Sequence, residues 1–213
     1  MKFSKISIFI AMFVVGSFAQ ASVLFEPYAG YSVGSASNKY SSAAVNGVNI
    51  GKTNSASVNG FGYGGRVGFL AKHFLILAGE YQVINGQEQF DGATGKVDFK
   101  QNTIFATVGF QSPRGFRLMG SYGIDAQADE GSGANPAHLK GTALKLAIGW
   151  HLPMTCALNL EYTIYKYTQS TTNGVTSTLG DTYEKYDRST VMATISFPFE
   201  LGRSGGGGEN QSH

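Results

Sequence analysis

Apolar and polar residues alternate with a period of two in eight stretches of this chain. The clearest case is a hairpin over residues 142–167 that turns at Leu152-Pro153-Met154. Going in, Thr142, Leu144, Leu146, Ile148 and Trp150 alternate with Ala143, Lys145, Ala147, Gly149 and His151. Coming out, Cys156, Leu158, Leu160, Tyr162 and Ile164 alternate with Ala157, Asn159, Glu161, Thr163 and Tyr165. This pattern predicts β-strands with one apolar face and one polar or small face. Further strands are expected with centres near Tyr28, Val67, Leu77, Ala106, Met119 and Ala193. Short connections (Ala71-Lys72-His73, Ser112-Pro113-Arg114-Gly115 and Leu152-Pro153-Met154) alternate with long polar ones at about 34–56, 86–96, 126–140 and 169–184. All long loops therefore gather at one end of the sheet and both termini at the other.

The two faces keep their character from strand to strand. One carries Phe25, Ala29, Tyr31, Phe61, Tyr63, Val67, Phe69, Leu75, Leu77, Tyr81 and Val83, and continues through Ile104, Val108, Phe110, Phe116, Leu118, Tyr122, Ile124, Val191, Ala193, Ile195 and Phe197. No charge interrupts it. The opposite face holds Glu26, Arg66, Glu80, Arg117, Lys145 and Glu161 among glycines, serines and threonines. A soluble barrel hides its apolar face inside, where these mid-strand charges would then have to lie outside. Here the small and charged face suits a narrow interior, and the unbroken apolar face suits lipid. About nine band residues per strand match a tilted transmembrane strand. The fold class is therefore all-β, an eight-stranded antiparallel up-and-down transmembrane β-barrel.

Aromatics gather at both margins of the band. Phe25, Phe69, Phe110, Phe116, Trp150, Phe197 and Phe199 lie towards the short turns, and Tyr31, Tyr63, Tyr81, Tyr122 and Tyr162 towards the long loops. Such girdles mark the two membrane–water interfaces. The last strand ends Thr194-Ile195-Ser196-Phe197-Pro198-Phe199 and resembles the terminal aromatic-x-aromatic signal of outer-membrane proteins, with Thr194 where that signal usually has glycine. On strand count, alternation and loop asymmetry, the chain resembles the small eight-stranded outer-membrane barrels of the OmpA/OmpX type. The resemblance implies a Gram-negative outer membrane with periplasmic termini. It also implies outer-membrane lipid, lipopolysaccharide and the outer-membrane assembly machinery as partners.

The first residues agree on export. Lys2 and Lys5 precede an apolar run over 6–18, and Ala19-Gln20-Ala21 is a small-x-small cleavage site, so residues 1–21 read as a signal peptide. The barrel is placed at 22–201 and a flexible Gly-rich tail at 202–213. The precursor has 16 Lys+Arg against 14 Asp+Glu, and loss of Lys2 and Lys5 leaves 14 against 14. A neutral mature chain gives no reason to expect a nucleic-acid partner. Cys156 is the single cysteine, so no internal disulfide forms.

Candidate chemistry lies on the inward face. Arg66 and Glu80 are equidistant from His73, and Lys145 and Glu161 from Pro153, so turns symmetric about those residues would oppose a base and an acid in each hairpin. Strands two–three and six–seven stand on opposite walls, so the four groups are expected to meet across the axis. Glu26 and Arg117 add an acid and a base nearer the short turns. A lone buried charge is severely penalised, which makes pairing the expected state. A structural core is the first reading of this network, a gated ion path the second. Gly60-Phe61-Gly62-Tyr63-Gly64-Gly65 matches G-x-G-x-x-G in form, but it sits within a strand and lacks the following helix that a dinucleotide site requires. Its glycines are expected to leave inward room for long charged side chains. The histidines are His73, His138, His151 and His213. They form no catalytic or metal motif, and His138 near Asp129 and Glu130 is the one loose candidate. No catalytic residue, cofactor or metal is assigned. The expected function is a monomeric, non-enzymatic surface barrel whose external loops meet a surface ligand, with a narrow channel as the alternative and an envelope-lipid enzyme third.

Overall fold

The computed structural model describes residues 21–40, 53–72, 74–92, 94–131, 136–152, 155–172, 174–179 and 183–201. Residues 1–20 of the expected signal peptide (1–21), His73, Pro153 and Met154 of the expected turns, and the expected tail from residue 202 lie outside them. Ten strands follow in order: β1 (Ala21–Tyr40), β2 (Thr53–Ala71), β3 (Leu75–Phe90), β4 (Val97–Gln111), β5 (Phe116–Glu130), β6 (Ala137–His151), β7 (Ala157–Thr172), β8 (Val175–Thr178), β9 (Tyr183–Ser196) and β10 (Phe199–Leu201). Each pairs antiparallel with its neighbours, and β9 pairs with both β7 and β1, which closes the sheet. The barrel wall has eight staves. β8 folds back on the end of β7 as a hairpin beyond the barrel. β10 continues β9 in one register along β1, from Tyr28↔Ser196 to Phe25↔Phe199. The break between them falls at Pro198, whose missing N–H cannot serve the ladder.

Closure leaves no sheet edge, which is what a strand wall in lipid requires. Outward side chains are exposed hydrophobics on every stave, among them Val67, Val108, Leu146, Leu160 and Ile195, whereas the inward positions are buried. The turns have local causes. At Ser112–Gly115, Pro113 fixes the turn, Gly115 takes φ +89°, and the Ser112 hydroxyl accepts a hydrogen bond from the Phe116 N–H at 3.1 Å. Positive φ at Lys72 (49°) and Thr155 (61°) closes the other two short turns.

Two expectations change. The staves run well past the lipid band: β1 and β2 are paired as far as Lys39↔Thr53, in a stretch expected as loop. There the outer face turns small and polar (Ser35, Ser37, Ser55, Ser57) and the inner face small and apolar (Ala36, Ala56, Val58), so the ladder persists without the apolar-outward alternation that marks the lipid band. The β6–β7 hairpin is centred on Met154, because Leu152 donates to the Cys156 carbonyl (2.8 Å) and His151 pairs with Ala157. Lys145 therefore opposes Thr163, and Glu161 opposes Ala147.

Candidate functional site: the charged lumen

The inward column of β3 orders the lumen from the short turns outwards: Ile76, Ala78, Glu80, Gln82, Ile84, Gly86, Glu88. Ile76 belongs to an apolar floor with Leu24, Leu70, Met119 and Ala147. Five of the six charges read from the sequence lie above this floor and Arg117 on the short-turn side of Met119; all six, three acids and three bases, are at most 2% exposed.

Arg66 on β2 is the hub. Its guanidinium meets Glu26 at 3.1 Å, Glu80 at 3.2 Å and Glu161 on the opposite wall. Arg117 grips both oxygens of Glu26, at 2.8 and 2.6 Å. Lys145 contacts Glu80 across the axis and Glu161 at 3.3 Å. The two-residue register difference in the β6–β7 hairpin thus leaves Lys145 and Glu161 diagonal neighbours, still in contact. Arg66 and Glu80 are direct cross-strand partners. Each carboxylate is held by two cations, the arrangement that makes buried charge tolerable. Neutral groups complete the shell: the Tyr28 hydroxyl donates to Glu80 at 2.5 Å and Thr107 to Glu80 at 3.2 Å. Arg66 also stacks over the Tyr28 ring at 4.6 Å, and Lys145 over Phe105 at 4.2 Å.

The lumen glycines do not serve charged side chains alone. A Cβ on Gly64 would lie 2.6 Å from the Tyr28 hydroxyl, and one on Gly62 would lie 2.4 Å from the Met192 sulfur. An aromatic and a thioether occupy the room that the glycines leave.

A second charged layer, absent from the sequence reading, closes the outer end. Arg188 on β9 contacts Glu88 on β3 and Glu130 on β5, the latter at 2.8 Å. It also donates to Gln101 (3.1 Å) and the Tyr167 hydroxyl (3.2 Å) and lies 4.4 Å above the Phe99 ring. Tyr186 donates to Glu130 at 2.9 Å. Two carboxylates here share one guanidinium. Burial, opposed by Arg188 and reinforced by Glu88, raises the Glu130 pKa above the ordinary carboxylate value. Burial and Glu130 likewise push the Tyr186 phenol up. Gln82 links the layers, donating to Glu161 at 3.5 Å and accepting from Tyr165 at 3.2 Å, and Tyr165 stacks on Tyr167.

A partial signal for this layer existed. Arg188 continues the inward parity of Thr190 and Glu88 that of Glu80, but Glu88 lay in a stretch assigned to a loop and Arg188 just beyond another. Glu130 was out of reach, because the bulge between Gly123 and Ala126 reverses the parity of β5 beyond it. His138 sits outside the barrel and pairs with Asp129 at 2.5 Å, while Glu130 turns inward to Arg188. The loose His–Asp–Glu cluster is therefore split between two faces.

On the outer surface, Phe25, Phe69, Phe110, Trp150, Phe197 and Phe199 are 45–52% exposed, and Phe116 packs edge-on against Trp150 at 5.7 Å. Tyr31, Tyr63, Tyr81, Tyr122 and Tyr162 are 44–57% exposed. The Tyr81 hydroxyl reaches Asn102, the first polar outward residue of β4, at 3.4 Å.

With an apolar outside and a charged, filled inside established, comparison with solved structures decides the architecture. The chain is similar to the outer-membrane protein OprG of Pseudomonas aeruginosa, with TM-score 0.50 and 13% identity over 84% of this chain and 97% of that one. The fold is that of the small eight-stranded outer-membrane barrels. Two further barrels align at lower scores. Neisserial surface protein A gives TM-score 0.48 and 14% identity over 82% and 97% of the two chains. Ail, the attachment invasion locus protein of Yersinia pestis, gives 0.45 and 12% over 84% and 99%. No protein-family model and no curated protein matches the sequence. As an outer-membrane barrel, the chain turns its apolar band to lipid and its ion-pair layers to the closed interior.

Proposed function

We propose that this protein is a monomeric, non-enzymatic barrel of the Gram-negative outer membrane that holds its external connections as a recognition surface. The observation that carries this reading is the double charged layer. The hub around Arg66 and the cap around Arg188 fill the interior at two heights, which suits a rigid scaffold better than an open pore. In this reading the signal peptide is cleaved, the termini are periplasmic, and the phenylalanine and tyrosine girdles sit at the two interfaces. The closing strand is read by the assembly machinery, and the bound environment is outer-membrane lipid and lipopolysaccharide. The polar external connections meet an unidentified surface ligand.

The test is single-channel recording of the refolded barrel in a planar bilayer. A scaffold gives no conductance events in the unmodified chain and none after Arg188→Met. Discrete openings in the unmodified chain overturn it in favour of a gated path. One observation favours that second reading: Glu80 and Glu161 each contact both Arg66 and Lys145, so partners can exchange without stranding a charge. Location is tested separately, by outer-membrane fractionation and by the gel shift between unboiled and boiled samples. Recovery in the soluble fraction without detergent overturns it.

A further inference from the structure

At the outermost end of the barrel, the paired ends of β2 and β3 frame a recess of about 340 Å³ lined by Thr53, Asn54, Ser55, Phe90 and Asp91. The ladder itself holds its walls. Ala56 pairs with Phe90, and the Asp91 N–H donates to the Ser55 carbonyl at 2.9 Å. Gly92 then turns the chain with φ +79°. The half-buried Phe90 packs against the cluster of Ala36, Ala56, Val58, Ile84 and Phe99, which fixes one apolar wall. The other four lining residues are polar and exposed. Asn54 and Phe90 also border a smaller recess of about 10 Å³, room for about one hydroxyl or water. On its wall the Asn38 amide oxygen, in register with Asn54, is buried and accepts no hydrogen bond from the described residues.

This lining selects by charge and by shape. Among the lining residues Asp91 alone is charged, so a phosphate, sulfate or carboxylate ligand would meet repulsion and no base. Lys39 stands opposite Thr53 on β1, outside the lining. An apolar wall beside a carboxylate, an amide and two hydroxyls matches a neutral pyranose, which has a C–H face and a rim of hydroxyls. A carboxylate accepts from two adjacent hydroxyls, and the amide both donates and accepts. A cationic side chain would use Phe90 and Asp91 and leave the amide and the hydroxyls idle. The volume lies at the small end of ligand pockets, the size of a sugar residue rather than of a folded partner.

We propose that this recess binds a neutral hexopyranose residue of a surface glycan, with its C–H face on Phe90, adjacent hydroxyls on Asp91 and a further hydroxyl towards Asn54 and Asn38. The site gives a ligand class to the recognition surface proposed above and rests on that reading.

The test is saturation-transfer NMR on the full barrel, refolded in detergent. The probes are the methyl pyranosides of glucose, galactose and mannose, N-acetylneuraminic acid, and Nα-acetyl-lysine methylamide. At least one methyl pyranoside is expected to bind with a Kd of about 1 mM, ordinary for a ligand of this size. Asp91→Asn is expected to weaken it about tenfold and Phe90→Leu about fivefold. Asp98→Asn, which removes an exposed acid on β4, is expected to leave it unaltered. Absence of saturation transfer to all three pyranosides overturns the site, as does an affinity unchanged by both recess variants. An equal loss in Asp98→Asn also overturns it. N-acetylneuraminic acid bound as tightly refutes the selection for a neutral sugar. The lysine derivative bound more tightly, with the same Asp91 dependence, assigns the recess to a cationic side chain instead. Competition by delipidated polysaccharide from the same envelope identifies the cell's own coat as the source, its failure identifies a foreign glycan, and either result supports the site. Each variant is first shown to be folded by the gel shift between unboiled and boiled samples. Failure of the sugar site leaves a barrel silent in the planar bilayer, whereas failure of the recognition reading shows as discrete openings there.

Discussion

Replacing Arg66 by Met is the most direct challenge to the luminal network. The substitution keeps most of the side-chain volume but removes a guanidinium that meets Glu26, Glu80 and Glu161. Three buried acids would then face two bases, Arg117 and Lys145. The three lost contacts do not sum, because Glu26 keeps Arg117 and the other two carboxylates keep Lys145. What remains is one uncompensated buried charge, a cost of about 3–5 kcal/mol. At a urea slope of about 2 kcal/mol/M, the unfolding midpoint falls by about 1.5–2.5 M. The assay is equilibrium unfolding in detergent or lipid vesicles, followed by the emission of Trp150. This is the single tryptophan of the chain, half-exposed on the lipid face beside Phe116. Arg66→Met/Glu161→Gln restores two acids against two bases and is expected to recover at least half of the loss. Asp91→Asn, at an exposed turn, is expected to stay within about 0.5 kcal/mol. A midpoint shift below about 0.3 M for Arg66→Met would refute the reasoning, as would a double variant as unstable as the sum of its singles.

Two other predictions follow from the outer layer and from close packing. Glu130 has a folded-state pKa raised above its unfolded value, so its contribution is fully present below the unfolded pKa and is lost as pH rises through the folded one. Glu130→Gln should therefore flatten the fall in stability across that window in pH-dependent urea titrations; an unchanged slope would count against the shared guanidinium. Gly64→Ala places a methyl group 2.2 Å from the Tyr81 carbonyl and 2.6 Å from the Tyr28 hydroxyl. It should cost about 1–3 kcal/mol by overpacking, whereas Gly120→Ala, which meets open space, should be near neutral in the same assay.

How much could be read beforehand depended on whether a residue's parity survived. Arg66 and Glu80 were legible as partners because their turn is symmetric about His73. Lys145 and Glu161 were legible as neighbours but not in register, since nothing in Leu152-Pro153-Met154 announces that Thr155 takes a positive φ and moves the hairpin centre by one residue. Tyr28 has inward parity on β1, yet an aromatic in a charged lumen gave no hint of the hydrogen bond it donates to Glu80. Arg188 and Glu88 were hidden because polar neighbours on the outer face (Asp187 and Ser189, Gln87 and Gln89) erase the alternation beyond the lipid band. The architecture was legible because eight staves repeat one rule, so an error on any single stave is outvoted.

The paired extension of β1 and β2 past the lipid band has a topographic consequence. About seven residues of each stave continue beyond Val33 and Phe61, and at 3.3 Å per residue and a tilt near 40° they rise about 15–20 Å above the hydrocarbon. The chain therefore leaves β1 at Tyr40 and enters β2 at Thr53 on top of a walled parapet, clear of the lipid surface. A peptide epitope spliced between these two strand ends would start from a paired ladder clear of the headgroups. That height makes the barrel a natural platform for surface display.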